Sequence, residues 1–170
     1  FDSAVGIRRV QRNITSSNGM AWSSDGTVMY YIDSAIGTVD AFDFDATYGA
    51  LTNRRVVFDV PLESGIADGM TVDAEDKLWV AFWGGGCVAR IDPKRHIVER
   101  TLKLPVSHVT SCAFGGESLH QLYITTARYG LSAADQVQQP DAGCLFVAEP
   151  GVPGLAPALF QTAGLDNSHA

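Results

Sequence analysis

"SSNGMAWSSDGTVMYYIDS", residues 16–34, decides how this chain is read. Fifty residues after Asn18, at Asp68, a second phrase begins: "DGMTVDAEDKLWVAFWGGG". The Gly-Met pair returns, and an apolar strand follows it again. In front of each pair stands a short side chain carrying oxygen. A third copy, "TSCAFGGESLHQLYITTA", starts at Thr110, another 42 residues on. Each copy opens on a polar and a small residue, alternates as a half-buried strand does, and turns on Gly, Asp or Glu. Each then closes on a dense apolar strand: "VMYYI", "LWVAF" and "LYITT". Repeats of roughly 40–50 residues holding several strands each are the mark of β-propeller blades.

The interior of the repeats agrees. In the first, "GMAWS", "TVMYYID", "TVDAFDFD" and "RRVVFDV" read as four strands. They are divided by "SDG", "SAIG" and "ATYGALTN", which are turn chemistry. In the second, "GMTVDA", "KLWVAF", "CVARID" and "VERTLKL" do the same. The second strand of each unit is apolar on both faces, as a strand sandwiched between neighbouring sheets must be. No segment has sustained helical periodicity. The third unit carries an insertion, residues 128–143, which belongs on a rim. The expected fold is all-β: a six-bladed propeller of which this chain supplies roughly the last three to four blades. One partial domain spans residues 1–170, with repeats near 14–60, 64–105 and 107–160. The chain opens at "FDSAVGIRRV", with neither an initiator Met nor a signal-peptide pattern, so it is expected to be part of a longer protein.

Bulk properties narrow the function. A chain of 170 residues with 46% hydrophobic and 18% charged residues is globular rather than disordered. Its net charge of −7 lacks the basic footprint that nucleic acid or an anionic membrane requires. No apolar run is long enough for a membrane-spanning helix. Cys87, Cys112 and Cys144 are odd in number and form no Cys-x-x-Cys spacing, so neither a disulfide framework nor a zinc cluster is expected. A reducing, cytoplasmic compartment fits, with all three thiols buried as small hydrophobes.

In a propeller the first strand of each blade lines the central channel, so the repeat symmetry aims Asn18 and Asp68 at one axis. Two converging oxygen donors suit a hard divalent cation. Asn-Gly and Asp-Gly are also ordinary turn-formers, and spacing alone leaves both readings open.

The ordered motifs "SNGMAW", "YYIDS", "VDAFDFD", "NRR", "ADGMTVDA", "LWVA" and "TSCAFGG" resemble the SMP-30/gluconolactonase/luciferin-regenerating-enzyme family. The resemblance runs from about Ser16 to "GLAPALF". It implies a six-bladed propeller with one divalent metal (Ca²⁺, Zn²⁺, Mn²⁺ or Mg²⁺) held by a Glu, an Asn and an Asp. The Asn maps onto Asn18 and the Asp onto Asp68; the Glu has no matching motif here. The implied chemistry is the opening of a small-molecule sugar lactone, with Asp68 as general base. A non-enzymatic calcium-binding role, or a related propeller hydrolase or luciferin-regenerating activity, are the alternatives.

Other candidates read as structural. "WGGGC" from Trp83 opens no helix and is a tight strand connection. Ser111 lacks a nucleophile elbow. His96, His108, His120 and His169 share no ligand spacing. Asp33 ends a buried strand and is expected to accept from a turn amide. Asp43, Asp45 and Asp92 are expected to be solvated acids at strand ends.

Overall fold

A computed structural model describes residues 7–157. His169 and the end of the "GLAPALF" motif lie outside the described residues. Among the described residues, eleven strands form three antiparallel sheets in chain order. The first holds β1 (Ser17–Trp22), β2 (Val28–Asp33), β3 (Thr38–Asp45) and β4 (Ala50–Asp59). The second holds β5 (Ile66–Val72), β6 (Leu78–Trp83), β7 (Cys87–Asp92) and β8 (Ile97–Lys103). The third holds β9 (Val109–Gly115), β10 (Gln121–Thr126) and β11 (Leu145–Ala148). Each sheet is an antiparallel meander, through short turns except for the insertion between β10 and β11, and β1, β5 and β9 pack side by side. This is a sector of a β-propeller, as the repeats predict.

Alternation along β6 explains the stacking. Leu78, Val80 and Phe82 point one way, into a cluster with Ile32, Val39 and Ala41 of the first sheet. Trp79 and Ala81 point the other way, into a cluster with Val109, Leu122 and Ile124 of the third. A strand with no polar face can only lie between two sheets, and "LWVAF" does so.

Charge is buried where the turns need it. Asp73 has no exposure, and its Oδ1 accepts from the backbone N–H groups of Glu75 and Lys77. Its Oδ2 accepts from Trp79 Nε1 (2.9 Å) and Arg90 Nε (2.7 Å). Arg90 continues to Glu75 and Glu99, both at 2.6 Å. Strands β6, β7 and β8 are thereby tied to the turn after β5.

Three expectations need correction. The insertion contains one helical turn and a half, α1 (Ala133–Gln138), begun by Ser132 Oγ accepting from the Asp135 N–H. A six-residue helix nucleated by its cap carries no periodicity to read. Cys144 precedes β11 and is exposed, whereas Cys87 and Cys112 are buried. Asp92 is not solvated: it is buried, and its Oδ2 accepts from Lys77 Nζ at 2.6 Å. Among the described residues, no helix is long and apolar enough to cross a membrane.

Candidate functional site

The three inner strands share one irregularity at one height. β1 pairs Ser17 with Asp33 and Met20 with Tyr31, so Asn18 and Gly19 together face Ile32. β5 pairs Ala67 with Phe82 and Met70 with Val80, so Asp68 and Gly69 together face Ala81. β9 repeats the irregularity at Thr110, between the Val109–Thr126 and Ser111–Thr125 pairs. Each is a bulge, which leaves one residue out of the ladder and re-aims its side chain. Asn18, Asp68 and Thr110 are therefore equivalent positions on three adjacent strands.

The glycines after the first two let the strands come close. A Cβ on Gly19 would lie 2.6 Å from the Met70 nitrogen and 2.7 Å from the Asp68 carbonyl oxygen. A Cβ on Gly69 would lie 2.2 Å from Ser111 Oγ and 2.8 Å from Ser111 Cα. Only a residue without a side chain fits either place. The outcome is that Asn18 and Asp68 are neighbours. Burial pushes the Asp68 carboxyl above the usual carboxylate range, and a hydrogen bond from the Asn18 side chain opposes that rise. No lysine or arginine contributes to the shift. A partly buried carboxylate with an amide beside it and no cationic partner has unspent capacity for positive charge.

"YYIDS" holds this pair in place. Asp33 Oδ2 accepts from the Thr15 N–H and Oδ1 from the Ser16 N–H, both at 2.9 Å, just ahead of Asn18. Burial alone would raise the Asp33 carboxyl; the amides of Thr15, Ser16 and Ala35, with Arg54, hold it below its ordinary value. Ser34 Oγ donates to the Ala67 carbonyl at 2.6 Å, one residue before Asp68. Asp33 is thus a structural acid, and it steadies the strand that carries Asn18. Ser34 went unnoticed in the sequence because its partner is 33 residues away.

The remaining candidates are placed as follows. Ser111 Oγ lies against the Gly69 backbone, and the histidine nearest in sequence, His108, bonds the Tyr129 carbonyl instead. His96 sits in the turn after β7 with φ of 58°, and His120 is exposed. Gly84 and Gly86 of "WGGGC" take positive φ and form the connection between β6 and β7. Asp43 pairs with Arg55 on the surface, and Asp45 accepts from the Thr47 N–H. A hollow of about 900 Å³ lies at the far ends of the inner strands, among Trp22, Phe44, Phe114 and Leu155. Among the described residues, no titratable side chain lines it.

Among the described residues, no group of three His, Cys, Asp or Glu side chains gathers as a metal site would. Among the described residues, Asn18 and Asp68 are neighbouring oxygen donors.

Comparison with known proteins agrees with the motifs. Residues 1–128 match the family model described as SMP-30/Gluconolactonase/LRE-like region. Regucalcin of Danio rerio is 49% identical over 142 residues, which are 83% of this chain and 48% of that protein. Human regucalcin is 44% identical over 152 residues, covering 89% of this chain and 51% of its own length. A calcium-binding protein, regucalcin, from Agrobacterium tumefaciens superposes with a TM-score of 0.82 at 30% identity, over 87% of this chain and 50% of that one. A luciferin-regenerating enzyme superposes with a TM-score of 0.76 at 38% identity, over 85% of this chain and 48% of its own. The chain spans about half the length of the curated relatives it matches. Bulged inner strands, stacked antiparallel sheets and the ordered motifs lead to one placement: this chain belongs to the SMP-30/gluconolactonase/LRE-like family.

Proposed function

We propose that the protein takes part in divalent-metal-dependent hydrolysis of sugar lactones, with Asn18 and Asp68 as metal ligands and Asp68 as general base. The supporting observation is the matched pair of bulges that sets an amide beside a partly buried carboxylate lacking a basic partner. An amide oxygen and a carboxylate oxygen are the donors that Ca²⁺, Mg²⁺ and Mn²⁺ prefer, and Zn²⁺ accepts them too. A cation bound there supplies Lewis acidity toward a lactone carbonyl. The chain's own residues do the rest. The Asn18 side chain lies beside the Asp68 carboxyl and favours its ionised form. Desolvation makes Asp68 more basic than an ordinary carboxylate, which suits it to take a proton from an attacking water. Gly69 packs closely on Ser111 of β9, which seats the strand carrying that carboxylate against its neighbour. We assign residues 1–170 to one partial propeller domain acting on a small molecule, in a cytoplasmic setting, without nucleic acid or membrane.

A second reading is calcium binding without turnover, favoured by the structural relative described as a calcium-binding protein. One assay separates the two: hydrolysis of D-glucono-1,5-lactone by the purified protein with Zn²⁺, Mn²⁺, Mg²⁺ or Ca²⁺ added. Turnover that Asp68→Ala abolishes supports the lactonase. Cation binding with no rate above buffer supports the binding protein. Turnover that survives Asp68→Ala near its full rate refutes the base assignment.

A further inference from the structure

The third inner strand repeats the geometry of the first two and carries a hydroxyl that the proposed chemistry does not use. Thr110 stands on β9 where Asn18 stands on β1 and Asp68 on β5. The ladder closes on both sides of it: Val109 pairs with Thr126 and Ser111 with Thr125. Val109 has no exposure, and the Ala127 N–H donates to the His108 carbonyl at 2.9 Å. The bulge at Thr110 is thus held between fixed rungs. The neighbouring strand touches it at the same height. A Cβ on Gly69 would lie 2.8 Å from Ser111 Cα, so the backbone just after Asp68 rests on the backbone just after Thr110. One strand earlier Gly19 rests on Gly69 in the same way, and there the Asn18 side chain reaches the Asp68 carboxyl. Thr110 therefore follows Asn18 and Asp68 as the third polar position of one row.

The hydrogen bonds around Thr110 leave it one kind of capacity. Its Oγ1 lies 2.7 Å from Thr125 Oγ1, and Thr125 Oγ1 donates to the Ser111 carbonyl at 3.3 Å. A hydroxyl has one proton and two lone pairs. With the Thr125 proton on Ser111, the proton in the short bond is that of Thr110, and Thr110 keeps its lone pairs. A chain of two hydroxyls ending on a carbonyl polarises each member, which makes the terminal oxygen a better acceptor. Thr110 is only half-buried, so that oxygen is within reach of a ligand. We propose that Thr110, oriented by Thr125, accepts a hydrogen bond from a hydroxyl group of the substrate and so selects hydroxylated rings over plain ones. A site built to pair with a hydroxyl rejects the analogue that lacks it, because its own oxygen is then left unpaired. The substrate class rests on the lactonase reading; the hydroxyl site is tested apart from it. Thr110 is a specificity residue, Thr125 positions it, and neither makes or breaks a covalent bond.

The test has two arms. The first titrates the purified protein, with Ca²⁺ present, with 1,5-anhydro-D-glucitol, which has the hydroxylated ring but no carbonyl to open. Binding is followed by ligand-observed NMR. Its Kd should rise roughly two- to tenfold in Thr110→Val, the weight of one neutral hydrogen bond, and stay near that of wild type in Thr110→Ser, which keeps the hydroxyl. Thr125→Val should weaken binding less than Thr110→Val. Tetrahydropyran, the same ring without hydroxyls, should not distinguish Thr110→Val from wild type. The second arm compares kcat/KM for D-glucono-1,5-lactone and δ-valerolactone, and Thr110→Val should lower the sugar-to-plain ratio by roughly the factor seen in binding. If neither lactone is turned over but the binding arm behaves as stated, the lactonase reading fails and the hydroxyl site stands. If wild type does not bind the anhydroglucitol, or Thr110→Val binds it as well as wild type, the hydroxyl site is refuted whatever the turnover. A loss in Thr110→Ser equal to that in Thr110→Val assigns the effect to packing and refutes it too.

Discussion

Gly69→Ala is the most direct probe of how the site is built. The added methyl would sit 2.2 Å from Ser111 Oγ, 2.5 Å from its Cβ and 2.8 Å from its Cα. Rotating the serine clears only the first of these. Carbon–carbon contact needs about 3.5 Å, so β5 and β9 must part by roughly 0.7–1 Å. Overpacking of that size costs about 1–3 kcal/mol. Ser111→Ala in the same chain should rescue little, because the Cβ remains. Ser111→Gly should recover a larger share, leaving only the approach to Cα. Gly19→Ala should be worse than Gly69→Ala and have no side-chain rescue, since its neighbours are backbone atoms of Asp68, Gly69 and Met70. Urea denaturation followed by far-UV circular dichroism gives all the free energies, and the double mutants give the coupling. A loss below about 0.5 kcal/mol for Gly69→Ala, or equal rescue by Ser111→Ala and Ser111→Gly, would refute the close approach of the inner strands.

Further outcomes follow from the buried charges. Arg90→Ala removes the cation from a carboxylate with no exposure, and should cost about 3–5 kcal/mol in urea denaturation; a change under 1 kcal/mol would contradict the network. Burial raises the Asp92 carboxyl, but Lys77 and the N–H groups of Lys94 and Arg95 outweigh it and bring it to about 2. A carboxyl depressed on folding stabilises above its unfolded value near 3.8 and loses that contribution as pH falls through about 2. Wild type should therefore exceed Asp92→Asn by about 2 kcal/mol at pH 7. That gap should shrink between pH 4 and pH 2, and a gap constant over this interval counts against the assignment. Asp33→Ala strands the N–H groups of Thr15 and Ser16 and should cost about 1–3 kcal/mol. By loosening the approach to Asn18 it should also weaken cation binding in calorimetry, whereas unaltered affinity would separate Asp33 from the site.

Blade organisation was legible in the residues themselves. Strand alternation has a period of two, and turns such as "SDG" and "AED" are set by a few adjacent side chains. "LWVAF" announced its place between sheets because no face of it is polar. The repeat of Asn18 and Asp68 announced equivalent positions in successive blades. Judgements of burial were less secure. Asp92 has the look of a solvated acid until Lys77, brought near by the pairing of β6 with β7, is seen beside it. Cys144 stands next to an apolar run but precedes the strand it was expected to join.

The adjacency of Asn18 and Asp68 belonged to the tertiary structure. It depends on bulges whose register is defined only by the partner strand, and on glycines whose need for bareness comes from the neighbouring sheet. The same holds for Ser34 reaching Ala67 and for His108 reaching the Tyr129 carbonyl of the insertion. Local chemistry writes strands and turns, because those interactions span a few residues. Which side chains meet is settled by how the sheets stack, and that is a property of the whole chain.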